Sequence, residues 1–167
     1  MENLYSWLSI ALVSLFSMFG GPVTDTDPST VTATTTAQVL EVIDGDTIVV
    51  SIANKKEFVR YIGIDTPEYS EDGQAECYAA EATAANKTMV ADQTVSLMGD
   101  QANRDKYNRL LRYVYVGEQF VNAELVKNGF AKTLYIPPDT TYASEFKALE
   151  KAAKQQKIGL WKDCQKD

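Results

Sequence analysis

Two strand-forming runs split by a short polar break constrain this chain more than any other feature. Thr47-Ile-Val-Val-Ser-Ile52 is β-branched and apolar, Ala53-Asn-Lys-Lys56 is polar, and Glu57-Phe-Val-Arg-Tyr-Ile-Gly-Ile64 runs back. Together they predict a β-hairpin. Folded about Lys55/Lys56, it sets Asp46 opposite Asp65, and cross-strand neighbours lie only ~5 Å apart. Like charges so placed repel, so the pairing predicts a cation held between them. Thr66-Pro67-Glu68 adds a third carboxylate just past the strand end.

Composition narrows the chemistry. The chain of 167 residues contains no histidine. That excludes a Ser-His-Asp triad, a Cys–His pair, a His-ligated zinc and a histidine general base. Two cysteines alone cannot build a structural zinc site. Any metal is therefore held by oxygen, which points to Ca²⁺ or Mg²⁺. Any general base is Asp, Glu, Lys or Tyr. The net charge of −7 argues against passive nucleic-acid binding over a broad basic surface, but not against a locally basic cleft.

The N-terminus reads as a targeting segment. Leu4 to Phe19 carries no charged residue. It is short of the ~20 residues that span a bilayer comfortably and suits a signal-peptide core. Glu2 makes a poor n-region and Gly20-Gly21-Pro22 a poor cleavage site. Residues 1–22 are thus either a signal peptide or an uncleaved anchor that associates with the membrane through residues 4–19. Residues 23–36 read as a Thr-rich polar linker, and residues 37–167 as the folded domain. Both N-terminal readings imply export, secreted or held at the outer face of the cytoplasmic membrane. Cys77 and Cys164 then share an oxidising compartment, where an even pair can bridge.

Along the domain, Ala37–Ile43 alternates as a first strand and Asp44-Gly45 marks a tight turn. After the hairpin, Glu76–Val90 is Ala-rich and reads as a helix. Thr94–Met98 and Leu110–Val116 are strands flanking a charged loop. Val121–Asn128 is a short helix closed by Gly129, and about Thr141 to Lys157 is an amphipathic last helix. This order predicts an α+β fold that is mainly β: a five-stranded OB-fold barrel with three helices.

The series Ile43-Asp-Gly-Asp-Thr47, Arg60, Asp65-Thr-Pro-Glu68, Asp105-Lys-Tyr-Asn-Arg109 and the closing Gly159-Leu-Trp161 resembles the staphylococcal (micrococcal) nuclease family over about Ala37 to Trp161. The resemblance implies that Asp46 and Asp65 bind one Ca²⁺ with their carboxylates and Thr66 with its carbonyl. It implies Glu68 as general base, and Arg60 and Arg109 as the grip on the scissile phosphate. Lys106 and Tyr107 match contacts to a nucleotide's terminal phosphate, and Tyr135 a wall of the base pocket. Asp44 either closes an Asx turn around Gly45 or supports the metal from behind. Two departures stand out: Pro137 replaces a second pocket tyrosine, and Asn108 replaces a glycine, tolerably if the turn is left-handed. Pleat parity puts Arg60 and Asp65 on opposite strand faces unless the chain bends at Gly63. A family-like fold, in which the chain after the last helix packs back across the domain, implies a Cys77–Cys164 disulfide.

The implied activity is a Ca²⁺-dependent, low-specificity, monomeric nuclease acting on DNA and RNA, preferentially single-stranded. The rival is a non-catalytic OB-fold module that binds nucleic acid or a protein motif. It has no need of Asp46, Arg60, Asp65, Glu68 and Arg109 together.

Overall fold

The computed structural model describes residues 34–70 and 72–164. The hydrophobic segment 4–19 and most of the Thr-rich stretch lie outside the described residues. No helix among the described residues is long and apolar enough to cross a membrane.

Five strands close a barrel: β1 (Thr34–Val42), β2 (Thr47–Ile52), β3 (Lys55–Tyr61), β5 (Thr94–Met98) and β6 (Leu110–Val116). β1 pairs antiparallel with both β2 and β5, β2 pairs with β3, and β5 with β6. A short parallel pairing of Val59–Tyr61 with Leu110–Arg112 closes the ring. α1 (Ala79–Val90) lies between the third and fourth barrel strands, as the OB order requires. A bulge in β1 between Val39 and Glu41 helps the strand coil around the barrel. The interior is filled by β-branched and aliphatic residues, among them Ile48, Val50, Val59, Val95, Leu97 and Val114, all fully buried.

The remaining elements cover the barrel. β4 (Ile64–Asp65) pairs with β8 (Lys132–Thr133), and β7 (Gln119–Phe120) extends the sheet edge beside β6. α2 (Val121–Lys127) ends at Asn128, with Gly129 following at φ +69°. α3 (Ala143–Gln156) packs Phe146 into an aromatic cluster with Tyr113, Phe120 and Tyr142. A one-turn helix, α4 (Leu160–Asp163), follows, so there are four helices rather than three among the described residues.

Three sequence expectations need correction. Thr34–Thr36 belong to β1, paired with Met98, Leu97 and Ser96, and are not linker. Threonine is a strong strand former, and an available edge decides its fate. The helix read from Glu76 begins only at Ala79, because Tyr78 at φ 78° breaks the helical path before it.

The third correction concerns the hairpin. Its turn is Ala53-Asn54, both at positive φ, and Ser51 pairs with Lys56. Such a two-residue turn matches strand twist. It shifts the register, so Asp46 faces Tyr61, whose amide donates to the Asp46 carbonyl at 2.9 Å. Asp46 and Asp65 are therefore not cross-strand partners. The chain leaves β3 at Ile62-Gly63 instead, with Gly63 at φ +79°, and turns Asp65 back toward Arg60.

The end of the fold is pinned by a glycine pair. A Cβ on Gly129 would lie 2.3 Å from the Ile158 carbonyl oxygen, which is backbone and cannot yield. Gly129→Ala also loses its left-handed φ. It should cost more than about 1 kcal/mol, read as a lower urea midpoint at unchanged slope.

Candidate active site

The site forms where the loop before β2, the end of β3 and the segment after β4 converge. Asp46 sits at its centre with no solvent exposure. Its Oδ2 accepts from the Thr66 amide at 2.9 Å and the Thr66 hydroxyl at 3.1 Å, and pairs with Arg60 Nη1 at 2.7 Å. Arg60 Nη2 reaches Asp65 Oδ1 at 2.8 Å. One guanidinium thus bridges two carboxylates that the strand register keeps apart. The turn at Gly63 overrides pleat parity and makes this possible.

Asp44 accepts the Asp46 amide at 2.9 Å in an Asx turn. It is also a member of an acidic cluster: Asp44, Asp46 and Glu68 each bring a carboxylate oxygen within 4.8 Å of the others. Gly45 lies so close to Thr66 that a Cβ would meet the threonine hydroxyl at 2.6 Å. Behind the turn, buried Asn86 donates to the Asp44 carbonyl at 2.8 Å and accepts from Tyr61 Oη at 2.9 Å.

The electrostatics fit a hard divalent cation. Burial pushes the Asp46 carboxyl up to about 7; Arg60 pulls it down, and Asp44 and Glu68 push it further up. Partial burial also raises Glu68, then Asp44, with Arg60, Asp65 and Arg109 exerting smaller effects. Oxygen-only donors whose ionisation is opposed by burial and by one another favour a bound cation. The observed cluster differs from the predicted set. Asp46 is common to both, Asp44 and Glu68 join it, and Asp65 and Thr66 adjoin it through Arg60 and the Asp46 carboxylate.

Arg60 also lines a cleft of about 440 Å³ with Lys106, Tyr107 and Arg109. The Arg109 Nε donates to Asp105 Oδ2 at 2.7 Å, while Asp105 Oδ1 accepts the amides of Tyr107 and Arg109. Burial alone would raise Asp105, but these hydrogen bonds hold it below its usual range. Asn108 takes φ 67°, so the left-handed turn survives the loss of glycine. Lys106 and Arg109 lie 4.9 and 5.5 Å from the Tyr107 ring, which stays largely exposed. Ile136, Pro137 and Pro138 add apolar wall to the same cleft. Tyr135 does not line this cleft; it faces a neighbouring one formed with Phe146, Lys147 and Glu150. Asp44, Asn86 and Asp105 are contributors that sequence reasoning either left open or missed. Asp105 stood in the quoted motif; Asn86, in the middle of a helix, gave no signal.

The site is thus one buried carboxylate, Asp46, with the less buried Asp44 and the exposed Glu68 beside it, next to an arginine-lined cleft on a small OB barrel. The chain belongs to the staphylococcal nuclease homologue family, whose model matches residues 58–163. It is 40% identical over 122 residues to "Endonuclease YncB" of Bacillus subtilis (strain 168), covering 71% of this chain and 58% of that protein. It is 35% identical over 127 residues to "Thermonuclease" of Staphylococcus hyicus, covering 75% of each. A "Thermonuclease" of Staphylococcus intermedius is 35% identical over 124 residues, 74% of each.

The raised Asp46 has a consequence for stability. Between its ordinary value of 3.8 and about 7, the folded chain keeps a proton that the unfolded chain has lost. Its contribution to stability is therefore present at low pH and lost as pH rises through about 7. In chelator, the denaturant midpoint of the wild type should fall from pH 5 to pH 8 more steeply than that of Asp46→Asn. Equal slopes would contradict the burial argument.

Proposed function

We propose that the chain is an exported, Ca²⁺-dependent, monomeric nuclease. It hydrolyses phosphodiester bonds of DNA and RNA with low base specificity, favours unpaired strands and leaves 3′-phosphate ends. The observation that carries this reading is the position of Arg60. It pairs with Asp46 and Asp65 on one side and lines the basic cleft with Lys106 and Arg109 on the other. A phosphate bound in that cleft would meet the same guanidinium that pairs with Asp46. The nuclease names of the relatives support the reaction class. The uncharged run from Leu4 to Phe19 supports export.

Asp46, Asp65 and the Thr66 carbonyl, with Asp44 and Glu68 beside them, are the donors that would hold Ca²⁺. When bound, the ion supplies positive charge that neutralises and positions the scissile phosphate. Glu68 takes a proton from the attacking water, the task that a histidine-free chain leaves to a carboxylate. Arg109, held by Asp105 through Nε alone, offers its planar fork to the phosphate oxygens as charge builds in the transition state, and Arg60 joins it as a bound cation takes over its carboxylate partners. Asp105 holds Arg109 in place. Lys106 meets a flanking phosphate and Tyr107 presents an open ring face. Tyr135 contacts a base from the adjoining cleft. The apolar wall of Ile136, Pro137 and Pro138 takes a base without hydrogen-bond readout, which accounts for low specificity.

The test is digestion of denatured DNA by the 34–167 fragment with Ca²⁺ and with chelator, followed by analysis of the ends. Activity should require Ca²⁺. Asp46→Ala should be partly rescued by high Ca²⁺. Glu68→Gln should lower turnover by roughly 10²-fold or more with little change in stability, and Arg109→Lys should be severely impaired because a point charge cannot replace a fork. Near-native rates in both of the last two variants would favour the binding-module reading.

A further inference from the structure

Glu68 stands on a segment with little packing of its own. Pro67 and Ala79 are buried, but every described residue from Glu68 to Cys77 is exposed except for the chain's own hairpin bonds. The Glu68 carbonyl accepts the Glu76 amide at 2.9 Å, and the Glu68 amide donates to Glu76 Oε2 at 3.3 Å. Tyr69 and Ala75 form the next bridge, and the Ser70 amide donates to the Gln74 carbonyl at 2.8 Å. The segment is thus a small hairpin with Glu68 at one foot and Glu76 at the other. A segment with few buried apolar contacts opens readily unless its ends are held.

Its first foot is fixed through Thr66 on Asp46. Its second foot is followed directly by Cys77, which is bonded to Cys164 with a Cα–Cα distance of 5.7 Å. Cys164 in turn sits on rigid ground. Its amide donates to the Leu160 carbonyl, the Leu160 amide donates to the Gly129 carbonyl at 2.9 Å, and Leu160 is buried. Gly129 and Gly159 approach too closely for any side chain. The covalent path therefore runs from the pinned end of the fold, through the disulfide, to the foot opposite Glu68.

We propose that the Cys77–Cys164 disulfide is a positioning device for Glu68, so that the chain reaches full activity only when it is oxidised. The inference rests on Glu68 acting as the base. A dithiol reduces the bond by taking the disulfide's place: the S–S bond breaks, each cysteine sulfur gains one electron and one proton, and the dithiol closes to its own disulfide. A thiol-rich interior would then hold the enzyme at low turnover, and an oxidising exterior would release it.

Two measurements on the full chain test this separately. The first is amide hydrogen exchange of oxidised and dithiothreitol-reduced protein in chelator, which needs no activity. Exchange at residues 68–77 should quicken on reduction while the barrel strands stay protected. Unchanged exchange there would overturn the anchoring. The second is turnover of single-stranded DNA with Ca²⁺, under conditions where circular dichroism shows the fold retained. Reduction, and the double variant Cys77→Ser/Cys164→Ser, should lower kcat up to ~10²-fold, the scale of a displaced catalytic group, with KM within about twofold. Reoxidation should restore the wild type and leave the serine variant unchanged. In a Glu68→Gln background, loss of the disulfide should cost no further kcat, because both changes act through one carboxylate. An additive loss, or an equal kcat in reduced and oxidised protein, would overturn the proposal. An oxidised wild type without activity would instead overturn the nuclease reading, and the exchange data would still decide the anchoring.

Discussion

A carboxylate buried without solvent exposure organises this molecule. Asp46 gathers the Thr66 amide and hydroxyl, the Arg60 guanidinium and, through its own amide, Asp44. Burying a charge is costly unless it is paired and hydrogen-bonded. Here each partner comes from a different segment, so satisfying the one carboxylate draws the turn before β2, the end of β3 and the segment after β4 together. The demand also reaches Gly45, which must be small for Thr66 to approach, and Asn86, which ties the turn to α1.

The same arrangement stores unfavourable electrostatics that a ligand can relieve. Three carboxylates converge within 4.8 Å, and burial raises two of them toward their neutral forms. Arg60 offsets part of this but is shared with Asp65 and the cleft. Such a site is tuned away from greatest stability, as expected where a fold places a functional cluster. The overall negative charge is compatible with this because Arg60, Lys106 and Arg109 concentrate positive charge on one cleft.

The fold was legible where local chemistry and packing agree. Thr94–Met98 and Leu110–Val116 match their strands residue for residue, and Gly129 closes α2 where a left-handed residue was expected. The five-strand order with a helix after the third barrel strand was readable as well. The hairpin register was not. A four-residue polar break hides whether Ala53-Asn54 or Lys55-Lys56 makes the turn, and positive φ at alanine is an unusual choice. The wrong register placed Asp46 opposite Asp65 across two strands. They do converge, but through the bend at Gly63 and the reach of Arg60, which are tertiary facts. Asp44 stayed open because an Asx turn and a donor role use the same side chain. Tyr135 entered by resemblance, and the structure turns it into the adjoining cleft.

The central claim is that the cluster around Asp46 holds a divalent cation whose binding pulls the carboxylates into their ionised forms. Calorimetric titration of the metal-free chain with Ca²⁺ at pH 6.5, in buffers of different ionisation heat, tests it most directly. The account predicts one site per chain, proton release on binding, and loss of both in Asp46→Asn. Binding that persists in Asp46→Asn, or the absence of any site in the wild type, would contradict it.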